Sequence, residues 1–331
     1  MNNFKKIGMT ALAASLVSTS VFAGEVTVSG GASMTVENYS GINRNAGKGF
    51  SMGNQLTFTG GGEMDNGMTV GISFVLDQGD NETDDEEGAS EAPFDGHSVS
   101  ISSDALGTLK LHGEGGSNAQ AAIDTTAAGD IWDTFDDATQ AVGTKVNSST
   151  SGSNLLVYTL PSIVDGVSAS VSYSPQSGND SATTAASSTA YAVTYTGVEG
   201  LSVSYGVGEQ EAESAAQGDT TTMSATYAYG PVTIGYSNND HATETSSEDQ
   251  ETTSFKVSYT VSDAISVSYG EDTVEEEGDA TDAEYSRLQA SYTSGGMTVT
   301  ATSAEMKNGA HDATTAADDK DYWSLGLSFA F

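Results

Sequence analysis

Apolar and small polar residues alternate one for one along most of this chain, and few folds can use such a pattern. In the closing segment DYWSLGLSFAF, Trp323, Leu325, Leu327, Phe329 and Phe331 share one parity, while Tyr322, Ser324, Gly326, Ser328 and Ala330 hold the other. The same weave runs through Leu201–Gly208, Ile265–Gly270 and Val167–Tyr173. Successive side chains of a β-strand point to opposite faces, so a period of two predicts strands with one apolar face and one small, polar face. Helical spacing is confined to one short patch. After the first residues, no stretch approaches the ~20 apolar residues that a membrane-spanning helix requires. Two architectures remain: a soluble sandwich with its apolar faces turned inwards, or a closed membrane barrel with those faces turned outwards to lipid.

The connections separate the two. Sixteen strands are predicted, near 25–37, 55–63, 68–77, 97–103, 107–112, 153–159, 167–173, 191–196, 201–208, 220–229, 232–237, 252–260, 264–270, 284–292, 297–304 and 321–331. Seven connections are short and rich in turn formers: 64–67, 103–106, 160–166, 197–200, 229–231, 261–264 and 293–296. The eight between them are long, polar and mostly acidic: 38–54, 78–96, 113–152, 174–190, 209–219, 238–251, 271–283 and 305–320. Strict alternation puts every long loop at one end of the sheet, as in outer-membrane barrels with short periplasmic turns and long external loops. A sandwich has no reason to segregate its loops. The expected fold is therefore all-β, a transmembrane antiparallel β-barrel of about sixteen strands.

Charge and cysteine usage narrow the chemistry. The chain of 331 residues carries 10 Lys and Arg against 46 Asp and Glu, a formal charge of −36, and has no Cys. Thiolate metal sites, disulfides and cysteine nucleophiles are excluded, and so strong an acidic excess argues against nucleic-acid binding. Residues 1–23, MNNFKKIGMTALAASLVSTSVFA, place Lys5 and Lys6 before an apolar run and end on small residues. That is a signal-peptide pattern. Cleavage is expected after Ala23, leaving 24–331 as a single barrel domain. The four histidines, His97, His112, His241 and His311, sit in no G-x-S-x-G or H-E-x-x-H setting, so no enzyme is expected.

Three segments resemble the Gram-negative general porins, sixteen-stranded barrels that usually assemble as trimers: GEVTVSGGASMTV (24–36), SNLLVYTLPSIVDGVSASVSYSP (153–175) and the C-terminal strand closing on Phe331. The resemblance implies an outer-membrane diffusion channel without cofactor, a homotrimer, and a long third loop folded into the lumen, constricting the pore, before the LPSI-like turn. It also implies contact with outer-membrane lipids and lipopolysaccharide, and reading of the terminal Phe331 by the outer-membrane assembly machinery. The family often opposes an acidic third loop to a cluster of wall arginines. Here the chain departs, because the mature sequence has two Arg in total.

The loop 113–152 is far longer than a hairpin needs, and such loops are usually functional. Within GDIWDTFDDATQ (129–140), Ile131, Trp132 and Phe135 can share an apolar helical face. Asp130, Asp133, Asp136 and Asp137 would then project from other faces; with Asp124 they are the candidate acidic lining of the constriction. Lys110, Lys256 and Arg287 fall on the lumenal parity of their strands and are the candidate basic wall. Loops 78–96 and 271–284 hold eight carboxylates apiece without a Lys or Arg. Such density at a mouth concentrates cations and repels anions, so a cation-preferring channel for small hydrophilic solutes is expected. The acidic loops could also take Ca²⁺ or Mg²⁺, although no EF-hand spacing is present. Aromatics at strand ends, from Tyr173 to Phe331, suit interfacial girdles. The alternative reading is a secreted acidic adhesin or surface-layer protein that binds divalent cations.

Overall fold

The structure is a computed structural model describing residues 26–40, 47–77, 95–135, 153–175, 177–179, 182–185, 187–211, 218–243, 249–279, 281–309, 311 and 319–331. The predicted signal segment 1–23, most of the loop 78–96, and Asp136 and Asp137 lie outside the described residues.

Among the described residues, eighteen strands follow in chain order. The first seven are β1 (Thr27–Ser40), β2 (Gly47–Glu63), β3 (Thr69–Asp77), β4 (Gly96–Ser103), β5 (Gly107–Glu114), β6 (Leu155–Thr159) and β7 (Val167–Ser174). A small pair, β8 (Ser177–Asn179) and β9 (Ala182–Ala185), lies within the next connection. Then come β10 (Ser188–Tyr195), β11 (Leu201–Gln210), β12 (Gly218–Tyr229), β13 (Val232–Thr243) and β14 (Gln250–Ser262). The last four are β15 (Ile265–Glu276), β16 (Ala283–Ser294), β17 (Met297–Lys307) and β18 (Lys320–Ala330). Without β8 and β9, sixteen strands form one closed barrel in which each pairs antiparallel with its neighbours in sequence.

Closure joins the first and last strands of the barrel. β1 pairs with β18 from Gly31 opposite Ala330 to Ser40 opposite Asp321. Beyond that register, Gly30 and Phe331 exchange both of their main-chain hydrogen bonds at 3.0 Å. Backbone groups along the seam thus find partners within the sheet, as a hydrocarbon environment demands. At the opposite ends of the strands, six of the seven short turns contain or adjoin a glycine with φ between 56° and 79°: Gly67, Gly107, Gly166, Gly200, Gly230 and Gly295. Side chains are strained in that region, which is why glycine recurs where strands reverse tightly.

The two faces of the wall differ as the alternation predicts, and their direction decides against a sandwich. Tyr173, Tyr191, Tyr205, Tyr236, Phe255, Tyr269 and Trp323 are all exposed, with Tyr205 at 52%. Their neighbours of the other parity, Ser172, Ala190, Ala192, Ser204, Thr222, Ser237 and Ser254, are buried. The apolar face looks outwards and the small-residue face inwards, the reverse of a water-soluble core. No helix among the described residues is long and apolar enough to cross a membrane.

The strands run further at the long-loop end than the sequence pattern suggested. β13 continues through Asn238–Thr243 and β15 through Glu271–Glu276. The acidic connection expected over 271–283 shrinks accordingly, and several of its carboxylates stand on strand rather than loop.

Candidate functional site

Residues 115–135, the described part of the long connection after β5, pack along the small-residue face of the barrel. The segment is irregular apart from two 3₁₀ turns, Ala121–Ile123 and Ile131–Thr134. Irregular backbone must bond elsewhere, and here serine and carboxylate side chains of β7, β13, β14 and β15 accept its N–H groups. Ala119 N–H donates to Ser172 Oγ on β7, Ala127 N–H to Ser237 Oγ on β13 and Ala128 N–H to Ser254 Oγ on β14, each at 2.9 Å. Ile131 N–H donates to Asp272 Oδ2 on β15 at 2.8 Å. Gln120 Nε2 adds a bond to Thr222 Oγ1 on β12, and Asn239 Nδ2 donates to the Asp124 carbonyl at 2.7 Å.

Close approach to the wall requires the wall to be hollow there. A Cβ at Gly206, Gly235 or Gly270 would come within 2.9 Å of Ile123, 3.3 Å of Ala127 and 2.7 Å of Ala128, respectively. These three glycines of β11, β13 and β15 mark the track that the segment follows.

At its far end the segment buries an apolar cluster. Ile131, Trp132 and Phe135 share one side as expected, and pack with Ala128, Val274, Ala283, Tyr285, Ala304 and Met306. Ile131 is fully buried, and the Trp132 and Phe135 rings lie 6.4 and 6.2 Å from the Tyr285 ring. Such ring separations suit edge and tilted aromatic contacts.

Between these anchors lies a tight turn. Thr126 N–H donates to Asp130 Oδ1 at 2.9 Å, and Thr126 Oγ1 accepts from Asp130 N–H at 2.8 Å and Gly129 N–H at 3.1 Å. Gly129 and Asp130 both adopt positive φ, 85° and 48°. The Arg287 guanidinium on β16 donates through Nη2 to the carbonyl of Ala128 and, at 3.2 Å, to that of Gly129. Lys256, Gly270 and Arg287 stand level on β14, β15 and β16.

The candidate residues therefore divide. Asp124, Asp130, Lys256 and Arg287 come together along one stretch of wall. Asp130 is committed to the turn. Asp124 is partly buried, and burial, aided by the neighbouring Asp130 charge, pushes its carboxyl up to about 7. Asp133 is exposed on the second 3₁₀ turn. Lys110 lies on the small-residue parity of β5, opposite Ser100 and Val157. Around the ring it is seven steps from β14, through β6, β7, β10, β11, β12 and β13. Among the described residues, no group of three His, Asp or Glu side chains is placed to hold a metal ion.

Sequence reasoning missed Asp272, Ser237 and Ser254 as seats for the segment, and Val274, Tyr285 and Met306 as its apolar dock. A signal existed for the dock: these three apolar residues occupy the parity that should be small or polar in a water-filled barrel.

Comparison with known proteins agrees with this architecture. A family model described as Gram-negative porin matches residues 8–286. A refined porin structure superposes with a TM-score of 0.65 at 20% identity, covering 93% of this chain and 100% of its own. A tryptophan-substituted porin of Rhodopseudomonas blastica superposes at 0.65 with 15% identity over the same shares, and a second variant of that porin reaches 0.66 at 15% identity, again over 93% and 100%. No curated protein matches the chain.

Proposed function

The chain belongs to the Gram-negative porin family, and from that premise we propose an outer-membrane channel for passive diffusion of small hydrophilic solutes, cation-preferring, with residues 115–135 as the loop that narrows the lumen. The observation that carries the reading is the row of hydrogen bonds from that segment to Ser172, Ser237, Ser254 and Asp272, all on the face opposite the exposed aromatics. A chain laid on the inner wall of a closed barrel reduces the aperture.

Selectivity follows from fixed charge. With 46 acidic against 10 basic residues, and Arg287 bound to loop carbonyls, the field at the mouth and along the wall attracts cations; it weakens as salt screens it. Asp133 is the exposed carboxylate of the described loop, with Asp136 and Asp137 following in sequence. Passage needs no chemical step.

The same reading includes removal of residues 1–23 on export, assembly as a homotrimer, contact of the outward aromatics with outer-membrane lipid and lipopolysaccharide, and recognition of Phe331 by the assembly machinery. The exposed belt of Tyr173, Tyr205, Tyr236, Tyr269 and Trp323 supports the lipid contact.

The test is conductance of detergent-purified, refolded protein in a planar bilayer, with the reversal potential recorded under a tenfold KCl gradient. Discrete steps in threes and a cation-selective potential are expected. A silent membrane after verified insertion refutes the channel, and an anion-selective potential refutes the cation preference.

A further inference from the structure

Arg287 looks at first like half of a charge pair across the channel, but its contacts are of another kind. Its Nη2 faces two consecutive main-chain carbonyls, those of Ala128 and Gly129, rather than a carboxylate. Both carbonyls belong to the turn in which Gly129 and Asp130 take positive φ, and that backbone geometry brings them round towards β16. The fit is close from both sides. A Cβ on Gly129 would lie 2.9 Å from Arg287 Nη2, and a Cβ on Gly270, the residue level with Arg287 on the next strand, would lie 2.7 Å from the Ala128 Cβ. The turn is thus seated between a hollow in β15 and a guanidinium from β16. On its other side the Ala128 N–H is held by Ser254 of β14.

We propose that Arg287 is a positioning residue, a clamp that fixes the apex of the loop and hence the aperture, rather than a charge that permeating ions meet. This rests on the reading of residues 115–135 as the constricting loop. A planar, permanently charged fork suits a clamp, because it can serve neighbouring carbonyls at once and cannot lose its proton, whereas a lysine ammonium is a flexible point charge. The consequence for selectivity is specific. On this stretch of wall Lys256 acts through its charge, whereas Arg287, still charged, acts chiefly by holding the turn.

The two roles separate in single-channel recordings of Lys256→Gln, Arg287→Gln and Arg287→Lys in the refolded protein. Charge removal alone shifts the reversal potential towards cations and leaves the open current quiet; Lys256→Gln is expected to do this. Arg287→Gln is expected to raise occupancy of altered-conductance substates roughly ten- to a hundredfold, the scale of losing charge-assisted hydrogen bonds. Arg287→Lys, which keeps the charge, should show the same instability. Because the chain contains no Cys, a disulfide between Ala127→Cys and Gly235→Cys, whose Cβ atoms would lie 3.3 Å apart, can tether the loop to the wall. The oxidised tether should quieten both Arg287 variants, and reductant should undo it. A quiet Arg287→Gln channel whose reversal potential moves as far as that of Lys256→Gln overturns the proposal. If Arg287→Gln does not fold, a quiet Arg287→Lys channel overturns it equally. A parent protein that forms no channel at all refutes the pore reading instead, and protease resistance of the loop in the parent and in the Arg287 variants then tests the clamp separately.

Discussion

Protonation of Asp124 should decide how firmly the loop is seated near neutral pH. Its carboxyl lies where the loop crosses from β12 to β13, and its Oδ2 is buried without a hydrogen-bond partner among the described residues. Burial first, and the Asp130 charge second, raise its pKa from 3.8 to about 7. The seated loop therefore binds the proton more tightly than a displaced loop does. Seating is fully favoured below the ordinary carboxylate pKa, weakens as pH rises from about 4 towards 7, and levels off above that. A shift of about three units at ~1.36 kcal/mol each sets a ceiling near 4 kcal/mol. The site is partly open to the aqueous channel, and screening reduces this to about 2 kcal/mol, roughly a thirtyfold change in the population of displaced loop. Substate occupancy in single-channel records between pH 5 and 8 measures it directly. Asp124→Asn, neutral throughout, should flatten the dependence and keep the loop seated at pH 8. A wild-type channel that becomes quieter as pH rises, or an Asn variant with the same pH dependence as the parent, would refute the reasoning.

Three further outcomes are expected. Trp132→Ala opens the apolar cluster around Tyr285 at a cost of about 3–5 kcal/mol; conductance should rise while heat-modifiable mobility on gels stays that of an intact barrel, and an unchanged conductance would place the ring outside the seat. Gly270→Ala puts a methyl 2.7 Å from the Ala128 Cβ and should displace the apex from the wall at about 1–3 kcal/mol; conductance is expected to fall, and a parent-like current would show that the wall can yield. Deleting Phe331 removes both 3.0 Å hydrogen bonds to Gly30, about 1 kcal/mol each, so the barrel should unfold in detergent at a lower temperature than the parent, with an unchanged transition counting against a role in closure.

All sixteen barrel strands were legible because a period of two is a local property that each strand carries for itself. Strand ends were not. The apolar parity stops where the lipid stops, yet β15 keeps pairing through Glu271–Glu276, since hydrogen bonding does not depend on hydrophobicity. The loop's length and its Ile131, Trp132 and Phe135 face were readable, whereas its seats were hidden: Ala127 meets Ser237 and Ile131 meets Asp272 across more than a hundred residues. A serine on the inner parity looks the same whether it faces water or an N–H. Arg287 shows the limit most clearly. Parity gave its side of the wall but not its partners, because main-chain carbonyls leave no mark in a sequence.

The seam between β1 and β18 also governs when this protein can exist at all. Neighbouring strands elsewhere in the barrel are joined by their own loops, but Gly30 and Phe331 meet only after β18 has been made. Until then any partial sheet has two raw edges, each able to recruit a strand from another molecule. Of the barrel's strand pairings this one closes the longest loop, and non-local pairing is slow, so maturation includes a late commitment step. A chain that lacks even its final strand is an open template for aggregation, not a slightly weaker barrel.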